Sequence, residues 1–81
     1  MEDKDIENFM KAFGELLATK RKEKGISQET LAFDAELDVM TISRLERGIL
    51  NISIGNAYKI ANALNIHYKE LFEFDVSPAK K

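Results

Sequence analysis

The chain contains no cysteine and a single histidine, which removes a disulfide framework, a thiolate zinc site and any metal cluster built on imidazoles. No metal and no cofactor are expected, and stability must come from packing. The sequence also lacks anything approaching the roughly 20 consecutive apolar residues of a membrane span. Its acidic start (Glu2, Asp3, Asp5, Glu7) has neither the basic nor the apolar block of a signal peptide. A soluble, cytoplasmic protein with no membrane partner is the expectation. There are no internal repeats, linkers or low-complexity tracts. Missing too are a glycine loop able to cradle a phosphate and a nucleophile paired with a base, so an enzyme is not expected.

Positive charge is not in surplus: 12 Lys plus Arg face 14 Asp plus Glu, for a formal net charge of −2. The total alone argues against a polyanionic partner. Distribution changes that conclusion, because acids crowd both ends (with Glu70, Glu73 and Asp75 at the far one) while Lys20, Arg21, Lys22, Lys24, Arg44 and Arg47 occupy the middle. A basic face on an acidic body would be repelled by nucleic acid in every orientation but one. That weakens non-specific binding and sharpens specificity.

What is present in these 81 residues is one domain of helical pattern. A chain this short buries only about 60 to 65% of its unfolded surface, so a partner subunit would add useful burial. Ile6, Phe9, Met10, Phe13, Leu16 and Leu17 recur at spacings of three and four, predicting a first helix over 5–24. Acids in its first turn and bases in its last complement the helix dipole, and Gly25 supplies a C-cap. Residues 1–4 and 76–81 are expected to be flexible. Ser27 and Asp38 are read as N-caps of two short helices joined by a tight turn, with Leu31, Ala32 and Ala35 on one inner face and Ile42 and Leu45 on the other; Leu37 plugs the turn. Ser53 caps a fourth helix, whose Ile54, Ala57, Tyr58, Ala61 and Leu64 form a stripe beneath that pair, ended by Asn65 in a left-handed cap. A fifth helix over 67–74, with Ile66 just before it, carries Tyr68, Leu71, Phe72 and Phe74. One small core cannot hide so many large apolar groups on two turns, so these five are expected at a subunit interface. His67 is read as a cap rather than a ligand.

Residues 27–48, SQETLAFDAELDVMTISRLERG, organise the rest. On a wheel at about 100° per residue the third helix puts Val39, Met40, Ser43, Arg44 and Arg47 on one arc and Thr41, Ile42, Leu45 and Glu46 on the other. Two guanidiniums, a hydroxyl and two apolar side chains suit guanine edges, phosphates and thymine methyls in a major groove. Glu46 falls on the inner arc, where a carboxylate needs a cation.

Gln28, Ala32 and the run ISRLERG, 42–48, resemble the helix-turn-helix signature of the Cro/C1-type (XRE-like) transcriptional regulators, which include phage repressors, restriction-modification controller proteins and antitoxins. The resemblance runs from about residue 13 to residue 72, with Arg21 and Gly25 before the motif and Asn51, Ala61, Leu64, Leu71 and Phe72 after it. It implies an all-α, compact five-helix lambda-repressor-like DNA-binding domain spanning 1–81, acting as a homodimer on a palindromic operator in double-stranded DNA. It also implies that Arg21 bridges to Glu46 and that Gln28 donates to a phosphate and steadies the side chains of the reading helix. In those terms Val39, Met40, Ser43 and Arg44 are candidate base readers. Gln28, Thr41, Arg47, Asn51 and Lys22 are candidate backbone contacts, and Ile66, Tyr68, Leu71, Phe72 and Phe74 a candidate dimer interface. The sequence departs from the family in two places. Glu36 stands where a glycine is usual; a left-handed glutamate costs on the order of 1 kcal/mol, so a relaxed or longer turn is expected. Ile49 and Leu50 follow Gly48 where a basic residue is usual, which removes one phosphate contact. The alternative reading is an antitoxin or interaction module that holds a partner protein through its C-terminal helix.

Overall fold

Helix starts and stops carry most of the architecture. The computed structural model describes residues 3–76. The order is α1 (Asp3–Glu23), α2 (Gln28–Ala35), α3 (Val39–Glu46), α4 (Ile54–Leu64) and a short 3-10 helix, Tyr68–Phe72. No strand occurs among the described residues. The Ser27 hydroxyl accepts from the Thr30 amide at 3.0 Å and the Ser53 hydroxyl from the Asn56 amide at 3.1 Å, each satisfying a first-turn donor that the helix itself leaves open. Asp38 occupies the N-cap position of α3, but its carboxylate makes no capping hydrogen bond, contrary to expectation. Asp3 and Lys4 are helical; of the ends expected to be flexible, 1–2 and 77–81 lie outside the described residues.

The four α-helices end in the same way. Gly25, Glu36, Gly48 and Asn65 all have left-handed backbone, with φ of 72°, 60°, 75° and 58°. The aliphatic residue that follows each one (Ile26, Leu37, Ile49, Ile66) sends its amide back to a carbonyl five residues earlier, as Leu37 does to Ala32 at 2.8 Å. This double closure ties off the helix end, and in three cases the aliphatic side chain then packs on the core. The turn at Glu36 is therefore neither relaxed nor longer. Its glutamate is held left-handed by hydrogen bonds from its own amide to Ala32 and Phe33 and by the anchored Leu37.

Phe13 and Leu17 of α1, Leu31, Ala32 and Ala35 of α2, Ile42 and Leu45 of α3, and Ala57, Ile60, Ala61 and Leu64 of α4 make the core, closed by Leu71. The stripe on α4 differs from the predicted one. Ile60 belongs to it, whereas Tyr58, one residue and so about 100° beyond Ala57, is turned outward. Ile54, at the first position of α4, overhangs the end of the core and is 91% exposed. The predicted fifth helix is only the 3-10 segment. It starts at a capping box in which His67 Nδ1 accepts from the Lys69 amide and Glu70 accepts from the His67 amide, and it stops when Glu73 leaves helical geometry. Leu71 is fully buried in its own chain, which removes it from any interface.

Where α1 crosses α3, Gly14 lies so close that a Cβ would strike the carbonyl oxygens of Leu45 and Glu46. Gly14→Ala is therefore expected to destabilise the fold by about 1 to 3 kcal/mol, overriding the roughly 1 kcal/mol that alanine gains in an unhindered helix. Chemical denaturation decides it, and a stabilised variant would mean that α1 and α3 are further apart. Glu36→Asn is expected to raise stability by a few tenths to about 1 kcal/mol, since asparagine tolerates the left-handed region, as Asn65 does here. The same denaturation series reads it.

Candidate nucleic-acid interface

α3 has only two turns, and three anchors set its attitude. Ile42 and Leu45 are buried, Gly14 lets α1 sit directly on its last carbonyls, and the side chain of Glu46 is only 7% exposed. That carboxylate is fully engaged. Arg21 donates through Nε to Oε2 at 2.6 Å and through Nη2 to Oε1 at 3.1 Å, and Gln28 Nε2 donates to Oε1 at 2.8 Å. The remaining Arg21 nitrogen, Nη1, donates to the Ile26 carbonyl at 2.9 Å. One carboxylate thus joins the end of α1, the loop after it, the start of α2 and the end of α3. The Glu46 hydrogen bond pushes the Arg21 ionisation above its usual value, against the opposing effect of burial. An arginine so raised keeps its contribution at every pH below that range, so its half of the pair adds no pH dependence near neutrality.

With the inner side held, the other arc of α3 faces solvent. Arg44 and Arg47 are exposed, and among the described residues neither guanidinium is engaged in a hydrogen bond or ion pair. Met40 is half exposed, and Ser43 and Thr41 are half-buried beside it in sequence. Val39 differs from the wheel: it is half-buried and packs against the core, leaving only part of its surface outward. Gln28 is half-buried at the first position of α2 with one amide hydrogen bond already given to Glu46. Lys22 and Asn51 are exposed. Lys20, in the same basic run, is committed to Glu70 at 3.5 Å and ties α1 to the 3-10 helix instead.

The expected dimer face is partly dispersed. Ile66 packs on the core, Phe74 stacks on Phe9 with ring centroids 5.0 Å apart, and only Tyr68 and Phe72 remain substantially exposed. The resemblance implied that Gln28 steadies the reading helix, and its bond to Glu46 does so; sequence reasoning did not name Glu46 as the partner, because the bond spans 18 residues and has no local signal. It also missed Gly14, for which a lone glycine inside an amphipathic helix was a usable sign. Among the described residues no group of three or more His, Cys, Asp or Glu is placed to hold a metal ion, and no helix is long and apolar enough to cross a membrane.

A family model described as helix-turn-helix matches residues 17–71. The chain is similar to the control protein C.BamHI of Bacillus amyloliquefaciens, 40% identical over 68 residues that make up 83% of this chain and 84% of that protein. It is similar also to the control protein C.MunI of a Mycoplasma species, 43% identical over 61 residues, 74% of this chain and 82% of that one. Its fold is similar to the crystal structure of the restriction-modification controller protein C.AhdI from Aeromonas hydrophila. The TM-score there is 0.77 at 46% identity, covering 78% of this chain and 96% of the other.

Glu46→Ala would leave the Arg21 guanidinium, whose side chain is 12% exposed, without its partner. It is expected to cost about 3 kcal/mol of stability. The double variant Arg21→Met, Glu46→Leu should recover most of that loss, because an apolar pair of similar volume removes both desolvation penalties. Denaturation curves of the three proteins check this, and a double variant no better than the single one would show that the network is indispensable to stability.

Proposed function

Because the chain belongs to the helix-turn-helix family of Cro/C1-type DNA-binding regulators, we propose that it controls transcription as a homodimer on a palindromic operator. The genes it acts on are those of a restriction-modification system, the setting that the names of its relatives give. The observation that carries this reading is the pair of unengaged guanidiniums on the outer arc of a helix whose inner arc is anchored. A side chain that must find a base edge does so at lower entropic cost when the helix bearing it cannot turn.

α3 enters the major groove. Arg44 takes a guanine edge as a two-pronged donor, Met40 and the outward part of Val39 meet thymine methyls, and Ser43 donates or accepts at a neighbouring base. Arg47, Thr41, Lys22 and Asn51 hold the sugar-phosphate backbone, as does Gln28 with the amide hydrogen that Glu46 leaves free. One such head covers only about four to five base pairs, so specificity needs two, about 34 Å apart across a two-fold axis. The protein works where the DNA is, in the cytoplasm.

Footprinting on the DNA upstream of its own reading frame is the direct test, and protection of two half-sites related by a dyad is expected. Three substitutions separate the roles. Arg44→Ala should cost roughly 1 to 3 kcal/mol and relax preference at one base pair in each half-site. Arg47→Ala should weaken all sequences alike and reduce the salt slope by about 1 per protomer, whereas Gln28→Ala, removing no charge, should weaken all sequences without changing that slope. Uniform loss on every sequence for Arg44→Ala would show that Arg44 reads no base.

A further inference from the structure

Lys11 of α1 lies on the turn that ends α3. Gly48 is buried there, and a Cβ added to it would stand 2.8 Å from the Lys11 Cα and 2.9 Å from its Cγ. Glycine lets the two backbones come this close, and its left-handed φ of 75° suits the helix end as well. One stripe of α1 follows the end of α3 throughout. Lys11 covers Gly48, Gly14 meets the Leu45 and Glu46 carbonyls, and Arg21 holds the Glu46 side chain.

The stem of Lys11 is thus fixed, while its charge is unused. The residue is exposed, and among the described residues its ammonium makes no ion pair or hydrogen bond, although Glu7 and Glu15 stand four positions to either side of it on α1. The guanidinium of Arg47, the residue before Gly48, is likewise unengaged. Two free cations therefore rise from adjoining backbone on two different helices. The strap that follows, 48–52, carries no charged side chain of its own.

We propose that Lys11 is a further contact to the DNA backbone, its ammonium joining the Arg47 guanidinium on the phosphates beside the end of α3; this rests on the DNA-reading role given to α3 above and adds a residue to it. A helix that turns its N-terminal residues to base edges has its last turn at the wall of the groove, where the phosphates are. An ammonium on a flexible four-carbon stem meets a phosphate there as a point charge and needs no fixed angle. Because Lys11 is pressed onto the same turn as Arg47, the Glu46 network that orients α3 places both charges together. Lys11 stands outside residues 27–48 and outside the basic run 20–24, so nothing in the sequence pattern marks it. The competing role is structural: a cation beside the last carbonyls of α3 stabilises that helix through its dipole. Such a role changes folding stability but not the number of ions released when DNA binds, and the two come apart in experiment.

The test compares Lys11→Met, which keeps an unbranched stem over Gly48, with Lys11→Arg, which keeps the charge, and Lys69→Met, which removes a charge from the 3-10 helix instead. Binding is followed against salt concentration on two duplexes of equal length, one of the DNA upstream of the protein's own reading frame and one of random sequence. Lys11→Met should weaken both by the same factor, on the order of five- to tenfold per protomer near 0.1 M salt, and lower the salt slope by about 1 per protomer. Lys11→Arg and Lys69→Met should keep the wild-type slope. A wild-type slope in Lys11→Met, beside a reduced one in Arg47→Ala, overturns the Lys11 contact and leaves DNA reading by α3 intact. If Lys11→Met lowers the denaturation midpoint and loses affinity with no change of slope, the dipole role replaces the contact. A slope that falls equally in Lys69→Met reports net charge alone and also overturns it. A wild type that binds neither duplex at any salt concentration removes the reading role of α3, and the phosphate contact with it.

Discussion

The carboxylate of Glu46 is the point on which the rest of the molecule turns. It accepts three hydrogen bonds, two from Arg21 and one from Gln28, and so fixes the end of α3 against the end of α1 and the start of α2. An eight-residue helix has little stability of its own. Its direction is imposed from outside, and two buried aliphatics alone would let it roll about their contact. A bidentate fork resists that roll because both of its distances must be kept at once. In net stability such a pair contributes little over an apolar substitute, so its value here lies in orientation. Any function that depends on where Arg44 and Arg47 point depends on Glu46 first.

The second constraint is at the helix ends. Four helices closed by a left-handed residue, three of them with an aliphatic plug, need only short connections, and short connections leave few ways to arrange the helices. The cost is concentrated at Glu36, where a side chain sits in a conformation that glycine occupies freely. That the turn holds all the same shows the plug outweighing the strain. Leu37 packs on the core only if Glu36 turns left-handed, and its partial burial, a fraction of the about 1.5 to 3 kcal/mol of a fully buried aliphatic, acts with the two hydrogen bonds of the Glu36 amide against about 1 kcal/mol of strain.

These two devices explain what could be read from the sequence. Serine caps, the left-handed Asn65 and the inner faces of α2 and α3 are local patterns, visible within four or five residues, and the structure has them. Glu46 stood out because a carboxylate on an inner arc demands a cation, and the family resemblance named Arg21 as that cation, which the structure bears out. The failures were of two kinds. Ile54 and Tyr58 were read as core because they share a stripe of three- and four-residue spacings with Ala57, Ala61 and Leu64; Ile54 lies beyond the end of the core, which periodicity does not show, and Tyr58 lies about 100° past Ala57, outside the buried arc that Ile60 completes. Leu71 and Phe72 are adjacent and equally apolar, yet one is buried and the other is 41% exposed; only the tight winding of the 3-10 helix decides which. The Gln28 bond to Glu46 and the contact of Gly14 with α3 required three-dimensional placement.

A core of so few residues, many of them alanine, leaves the monomer little reserve, and the open groove bordered by Phe9, Tyr58, Tyr68 and Phe72 is apolar surface that folding alone does not bury. In a homodimer whose pairing buries apolar surface, stability and DNA affinity share a single concentration dependence, because burial and the pairing of reading heads arrive in the same step. The dimer population then rises with the square of protein concentration while the protein is dilute. No effector domain is needed for a delayed response under that law: the operator stays empty until the chain has accumulated, and fills over a narrow range afterwards. The acidic remainder of the surface works in the same direction. Negative charge away from the reading helix opposes non-specific binding to DNA, which in a regulator that pairs would keep free chains available. A stronger core or a more basic body would each make a tighter monomer and blunt that threshold, which gives a physical reason for a regulator to be both marginal in packing and net negative in charge.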